Sequence, residues 1–331
     1  MKLHKNLLSA LSMAVALSLG TTAVHAIEIS VSNYGVSPGS MPLAVALKKG
    51  YFQEAGADIT AIRSSPGSAP SIREMIAGDL PYAEAGVTGA IAAIKSGAQL
   101  KIISTDVNTF AEVTWVTMPN SSIKTLADIK GKRIGFTSPK SATNMAVLLM
   151  LKKVNLPVTD VTLIAAGSFP QALTALEAGA VDLVPIVEPN FSINGSKYRV
   201  IAKSSDFMPP TNNVLGLTTA KAAKEKPEII KGILAARRKG LDFMLKNPAE
   251  AAVILSPIFK TDAKVIEKVI IDLRDRGSSD GFAYWSPGGI DMIPLKNAVA
   301  GALLTGELTE TFDPTPLIDT SFLPDDLKPK K

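Results

Sequence analysis

The chain has 331 residues, a formal net charge of +5, 46% hydrophobic residues and no cysteine, so disulfide staples and thiol chemistry are excluded. Charge this mild and this scattered, with 5% aromatics, does not describe a nucleic-acid surface. The two histidines are His4 and His25, so beyond residue 26 there is neither His nor Cys, which removes Ser–His–Asp and Cys–His nucleophiles, N/S zinc sites and His-ligated haem.

Taken in chain order, Lys2, His4 and Lys5 precede the apolar run LLSALSMAVALSLG (7–20), and Val24-His25-Ala26 ends in a small residue. That is the pattern of a cleaved signal peptide over 1–26, and its apolar run is short for a membrane span. Its removal leaves 331 − 26 = 305 residues and, without Lys2 and Lys5, a charge of 5 − 2 = +3. About 150 residues per domain then suggests two domains. No Cys follows to carry a lipid, so a soluble periplasmic protein is expected.

Strand and helix patterns alternate from there: strands at 27–32, 57–63, 81–86 and 99–106, helices at 41–50, 69–79 and 88–97. This βαβ rhythm predicts a parallel α/β layer. The segment 112–119 breaks it and reads as a strand crossing into a second unit. There, strands at 132–137, 161–166, 181–187 and 198–203 alternate with helices at 143–154 and 169–180. The segment 211–219 reads as the return crossing, followed by helices at 226–247 and 262–276. Arg237 and Arg238 read as part of a solvated helix face, and the tail from Leu303 as a surface wrap. The expected fold class is α/β, a two-lobed clamshell with two crossing strands. Lobe 1 takes 27–112 and 218–331, lobe 2 takes 113–217, and strand-to-helix loops of both aim at a central cleft. No nucleotide-binding glycine fingerprint occurs at a strand–helix turn.

Four segments in this order resemble a known family. They are MPLAVALKKGYFQEAGADI (41–59), AGDLPYAEAGVTGAI (77–91), IKTLADIKGKRIGF (123–136) and ALTALEAGAVDLVPIVEP (172–189). The chain is similar through them to the periplasmic substrate-binding proteins of ABC importers, in the group of nitrate, sulfonate, taurine and thiamine-precursor binders. The resemblance covers 27–217 well and the C-terminal third loosely. It implies a type II clamshell, no catalysis, and delivery of a small-molecule ligand to a membrane permease; a monomer without cofactor or metal is expected. The pyrimidine synthases that share this fold use His and Cys residues that are absent here.

The loops name the candidate ligand residues. Ser138, Ser141, Ala142 and Thr143 stand where a long helix begins, and unpaired first-turn N–H groups with the helix dipole hold an anion there. Asn33, Tyr34 and Ser40 follow the first strand, Ser65 and Gly67 the second, and Gly86, Val87 and Thr88 the third, where a backbone N–H of Val87 or Thr88 would face the ligand. Thr109 and Phe110 precede the crossing, Glu188 follows the strand 181–187, and Asn212 sits at the return beside Asn213. Glu188 reads first as a cap of the next helix, or, if it faces the cleft, as a partner for a ligand amine or hydroxyl, and Trp285 as a lid or a packed ring. The expected function is capture of a small organic anion, a sulfonate or carboxylate. Nitrate or a thiamine-precursor pyrimidine as ligand, and a ligand-presenting sensor role, are the alternatives.

Overall fold

A computed structural model describes residues 27–139, 141–277 and 280–328, so the expected signal peptide lies outside the described residues. The first half runs β1 (Ile27–Ser32), α1 (Met41–Lys48), α2 (Tyr51–Glu54), β2 (Ile59–Ser65), α3 (Ser68–Ala77), β3 (Ala83–Ala85), α4 (Val87–Lys95) and β4 (Leu100–Val107). The second runs β5 (Val113–Thr117), β6 (Arg133–Phe136), α5 (Ala142–Lys153), β7 (Thr162–Ala165), α6 (Phe169–Glu177), β8 (Val184–Val187), α7 (Asn190–Asn194) and β9 (Arg199–Lys203). The chain then continues through β10 (Val214–Thr219), α8 (Ala220–Glu225), α9 (Pro227–Lys246), α10 (Pro248–Phe259), α11 (Ala263–Arg276) and α12 (Met292–Leu304).

The first sheet has the order β2-β1-β3-β10-β4, parallel across β2, β1 and β3, with β10 antiparallel to both its neighbours. Helices cover both faces, which is why β1 buries Ile29, Ser30 and Val31 in succession. Period-two alternation divides the rest. Tyr82 and Ile103 pack with Ile29, Leu43, Phe52 and Ile233 on one side, while Ala83 and Ile102 pack with Ile72, Met75, Ile91 and Leu217 on the other.

The second half is assembled differently. β5 lies between β8 and β9, antiparallel to each, and β6–β7 form a separate parallel pair bridged to that sheet at Ile134–Leu183. Asp182 holds this junction, accepting from Arg133 N–H at 2.8 Å and from its guanidinium Nη2 at 2.7 Å.

The segments expected to cross between the halves are strands within the sheets. β5 is the middle strand of the second sheet, and β10 belongs to the first. We therefore propose that lobe 1 resumes at Val214, since a boundary at 218 would cut β10 away from β3 and β4. The crossings at 108–112 and 204–213 are tied together by Asn212, whose Nδ2 donates to Val107 O and Asn108 Oδ1, both at 3.1 Å. The expected solvated face at Arg237 is corrected. Arg237 is buried, donating to Ser286 O at 3.0 Å and Asp106 O at 2.9 Å beside Glu84 and Asp106. Helix α12 falls partly in the stretch expected to be tail. It packs Gly301 onto Met145 of α5, and a Cβ there would collide with the Met145 sulfur.

Candidate functional site

A cavity of about 910 Å³ lies between the halves, and elements of both line it. Its main feature is a convergence of helix starts. The residues preceding α3, α4, α5 and α6 are Gly67, Gly86, Ser141 and Ser168, and all four are on the cavity wall. Each of these helices carries about half a positive charge at its start and presents unpaired first-turn N–H groups, fewer in α6, where Pro170 has no N–H to give.

On the first-half wall two helix starts nearly touch. The Ser68 hydroxyl at the start of α3 accepts from Gly86 N–H at 2.8 Å. A Cβ on Gly89 would lie 2.5 Å from Ser68 Cβ, and one on Gly86 would lie 2.9 Å from Ser68 Oγ. Glycine at both positions is what lets the two positive ends approach. Among the described residues no acceptor meets the N–H groups of Val87, Thr88 and Gly89.

On the second-half wall the run beginning at Thr137 forms a closed hydroxyl triangle. Thr137 Oγ1 lies 2.7 Å from Thr143 Oγ1 and 3.1 Å from Ser141 Oγ, and the latter two are 3.0 Å apart. Thr143 Oγ1 also accepts from Thr137 N–H at 2.9 Å, and Ser141 Oγ caps α5 by accepting from Asn144 N–H at 3.2 Å. Three hydroxyl protons thus circulate among three oxygens, and rotation of any one would aim it at an incoming acceptor. At the start of α6, Gln171 Oε1 accepts from Ser168 N–H at 2.7 Å and from its hydroxyl at 3.0 Å.

Of the residues expected from the sequence, Asn33, Gly67, Gly86, Thr88, Phe110, Ser138, Ser141, Ala142, Thr143 and Glu188 line the cavity. The others do not, for separate reasons. Tyr34 packs its ring against core clusters, and burial pushes its phenol up to about 12. Ser40 is buried and donates to Ser37 O at 3.0 Å. Ser65 turns to the opposite side of β2, meeting Ser30 Oγ at 3.0 Å. Val87 gives its side chain to the core and keeps only its backbone N–H at the start of α4, Thr109 donates to Gly277 O at 2.8 Å, and Asn212 is spent on the crossings. Trp285 is no lid: it is buried edge-on against Tyr284 and donates to Pro38 O at 3.0 Å.

Sequence reading missed Ser68, Ser168, Glu112, Phe259 and Glu307, all of which line the cavity. Ser168 carried a legible signal, a Ser followed three residues later by Gln171 at a helix start. Glu112 was read only as the beginning of a strand. It is 3% exposed, its Oε1 accepts from Asn213 Nδ2 at 2.6 Å, and its Oε2 has no partner among the described residues. Burial pushes this carboxyl up to about 8, helped by the neighbouring Glu188 charge. Glu188 is raised too, chiefly by burial, although its Oε2 accepts from Ser192 N–H at 3.0 Å. The two acids flank the paired residues Val113 and Val187, on adjacent strands. Among the described residues no cluster of three acids, His or Cys is arranged to hold a metal, and no helix is long and apolar enough to cross a membrane.

The NMT1/THI5-like family matches residues 37–251, about two thirds of the sequence. The chain belongs to that family. A Bacillus subtilis relative, provisionally named an aliphatic sulfonates-binding protein, is 27% identical over 244 residues, covering 71% of this chain and 72% of its own length. Among solved structures, the Escherichia coli periplasmic aliphatic sulphonate binding protein SsuA superposes with a TM-score of 0.74 at 19% identity, covering 92% of this chain and 94% of its own. The desulfurization enzyme DszB superposes with a TM-score of 0.64 at 13% identity, covering 90% and 97%. These superpositions establish the two-lobed periplasmic-binding-protein fold, which serves a binding protein in one case and an enzyme in the other.

Proposed function

We propose that this chain is a periplasmic receptor that captures a small organic anion, of sulfonate or carboxylate type, between its lobes and delivers it to the permease of an ABC importer. The observation that carries this reading is the convergence of four helix starts on one cavity. Backbone N–H groups and aligned dipoles supply positive potential there without a buried cationic side chain. A volume of about 910 Å³ exceeds what nitrate needs and suits a ligand with an organic body. Apolar surface for that body comes from Phe110, Phe169, Pro170 and Phe259, with Val36 and Ile193 at the rim, 58% and 49% exposed. The family and the sulfonate-binding relatives support the same class. Residues 1–26 supply the export signal that periplasmic capture requires.

Contacts made by both walls favour the closed arrangement over the open one by the difference in what the ligand touches in each. The test is calorimetry on protein unfolded and refolded to strip carried-over ligand, with alkanesulfonates, alkanoates and nitrate as probes and an assay for probe breakdown alongside. Saturable one-to-one binding of a sulfonate or carboxylate, recovered unchanged, is expected. Binding confined to neutral or cationic compounds, or turnover of the probe, would reject the reading.

A further inference from the structure

The charged side chains among the described cavity residues are all acidic: Glu112, Glu188 and Glu307. For a receptor of simple anions, three acids and no base are an unexpected lining, because a carboxylate repels the ligand and a buried one gives up its own hydration without a counter-charge. Two of them come from the same corner. Glu112 immediately precedes β5 and Glu188 immediately follows β8, and the backbone N–H of Glu188 donates to Glu112 O at 3.0 Å. Each carboxyl is half used. Asn213 takes Glu112 Oε1 and the Ser192 N–H takes Glu188 Oε2, while Glu112 Oε2 is buried without any partner among the described residues. A side chain 3% exposed with an idle oxygen on the wall of a ligand cavity is short of a hydrogen-bond partner; burial keeps a proton on it while the cavity is empty, and an incoming ammonium would favour its ionised form.

We infer that the ligand is a zwitterion, with its acid group at the converging helix starts and an amine donating to Glu112 and Glu188. This rests on the anion-receptor reading above and names the second half of the ligand. The charges then balance locally: partial positive helix ends meet the acid, and buried carboxylates meet the ammonium. An ammonium carries three donors, enough to engage the idle Glu112 Oε2 together with Glu188.

The test compares pairs differing only in the amine, on the refolded full exported protein. The pairs are 2-aminoethanesulfonate against ethanesulfonate and 3-aminopropanoate against propanoate. The amino member of at least one pair is expected to bind about tenfold or more tightly, which corresponds to about 1.4 kcal/mol. Glu188→Gln and, independently, Glu112→Gln should shrink that preference below about threefold, with the loss falling on the amino member and the amine-free member bound no more weakly than before. Equal or tighter binding of the amine-free members by the unmodified protein would overturn the zwitterion and leave the anion receptor standing. Failure of every acid-bearing probe, with binding of a plain amine, would overturn both.

Discussion

The two walls of the cavity solve the same electrostatic problem in different ways. On the first-half wall α3 and α4 start from Gly67 and Gly86, neither of which has a side chain to cap the helix, and the N–H groups that follow are bare. On the second-half wall α5 and α6 start from Ser141 and Ser168, whose hydroxyls are already engaged by Asn144 N–H and Gln171 Oε1. The first wall therefore offers fixed backbone donors, placed by the close fit of Gly86 and Gly89 against Ser68. The second offers rotatable hydroxyls that satisfy one another until a better acceptor arrives. A rigid wall sets where an acid group sits, and an adaptable one tolerates differences in its shape.

If that contrast is right, damage to the rigid wall should cost most. Gly89→Ala forces its Cβ against Ser68 and separates the two helix starts. Loss of two charge-assisted hydrogen bonds would weaken sulfonate binding by about a hundredfold. Calorimetry with ethanesulfonate checks it, and affinity within about threefold of the original would show that the first wall does not hold the acid. Replacing Ser141 and Thr143 together by Ala should cost about tenfold, with a stability loss of about 1 kcal/mol from the missing cap, read by denaturant titration. An unchanged affinity there would reduce the hydroxyl triangle to a structural role.

A separate effect, on stability rather than affinity, is the pH dependence of the ligand-free protein. Glu112 has its ordinary carboxyl value of 4.5 pushed up to about 8, so between those values the folded state keeps a proton that the unfolded state releases. Stability from this group is full below about 4.5 and falls as pH rises towards 8, by at most about 1.4 kcal/mol per pH unit. Glu188, Asn213 and Tyr284 lie in the same electrostatic neighbourhood, and Asn213 and the glutamate's own backbone partly oppose the rise. Glu112→Gln should flatten that slope in thermal melts taken from pH 5 to 8. A parallel slope in the variant would assign the pH dependence elsewhere.

Much of this arrangement was legible because periodicity and punctuation report backbone geometry. The alternating strands and helices, and the small residues at each strand-to-helix turn, located Gly67, Gly86, Thr88 and the run at 138–143. The same reasoning failed wherever one residue of strand parity decides the face, as at Ser65, where the hydroxyl belongs to the core. It failed for Ser40, Thr109 and Asn212 because a polar residue near a cleft can equally be spent on the loop that shapes it. Phe259 and Glu307 reach the cavity only through packing of the C-terminal helices, which no local pattern encodes. Arg237 looked solvated because helical spacing fixes neighbours on a helix and says nothing of Glu84 and Asp106 waiting beneath it.

The central claim is that one acid group is held by both walls at once. It is tested most directly by titrating isotope-labelled, refolded protein with ethanesulfonate and following backbone amides by NMR. The amides of Val87, Thr88 and Gly89 on one wall and of Ala142 and Thr143 on the other should move downfield together, with a single dissociation constant. Movement on one wall alone, or two sets with different dissociation constants, would contradict it.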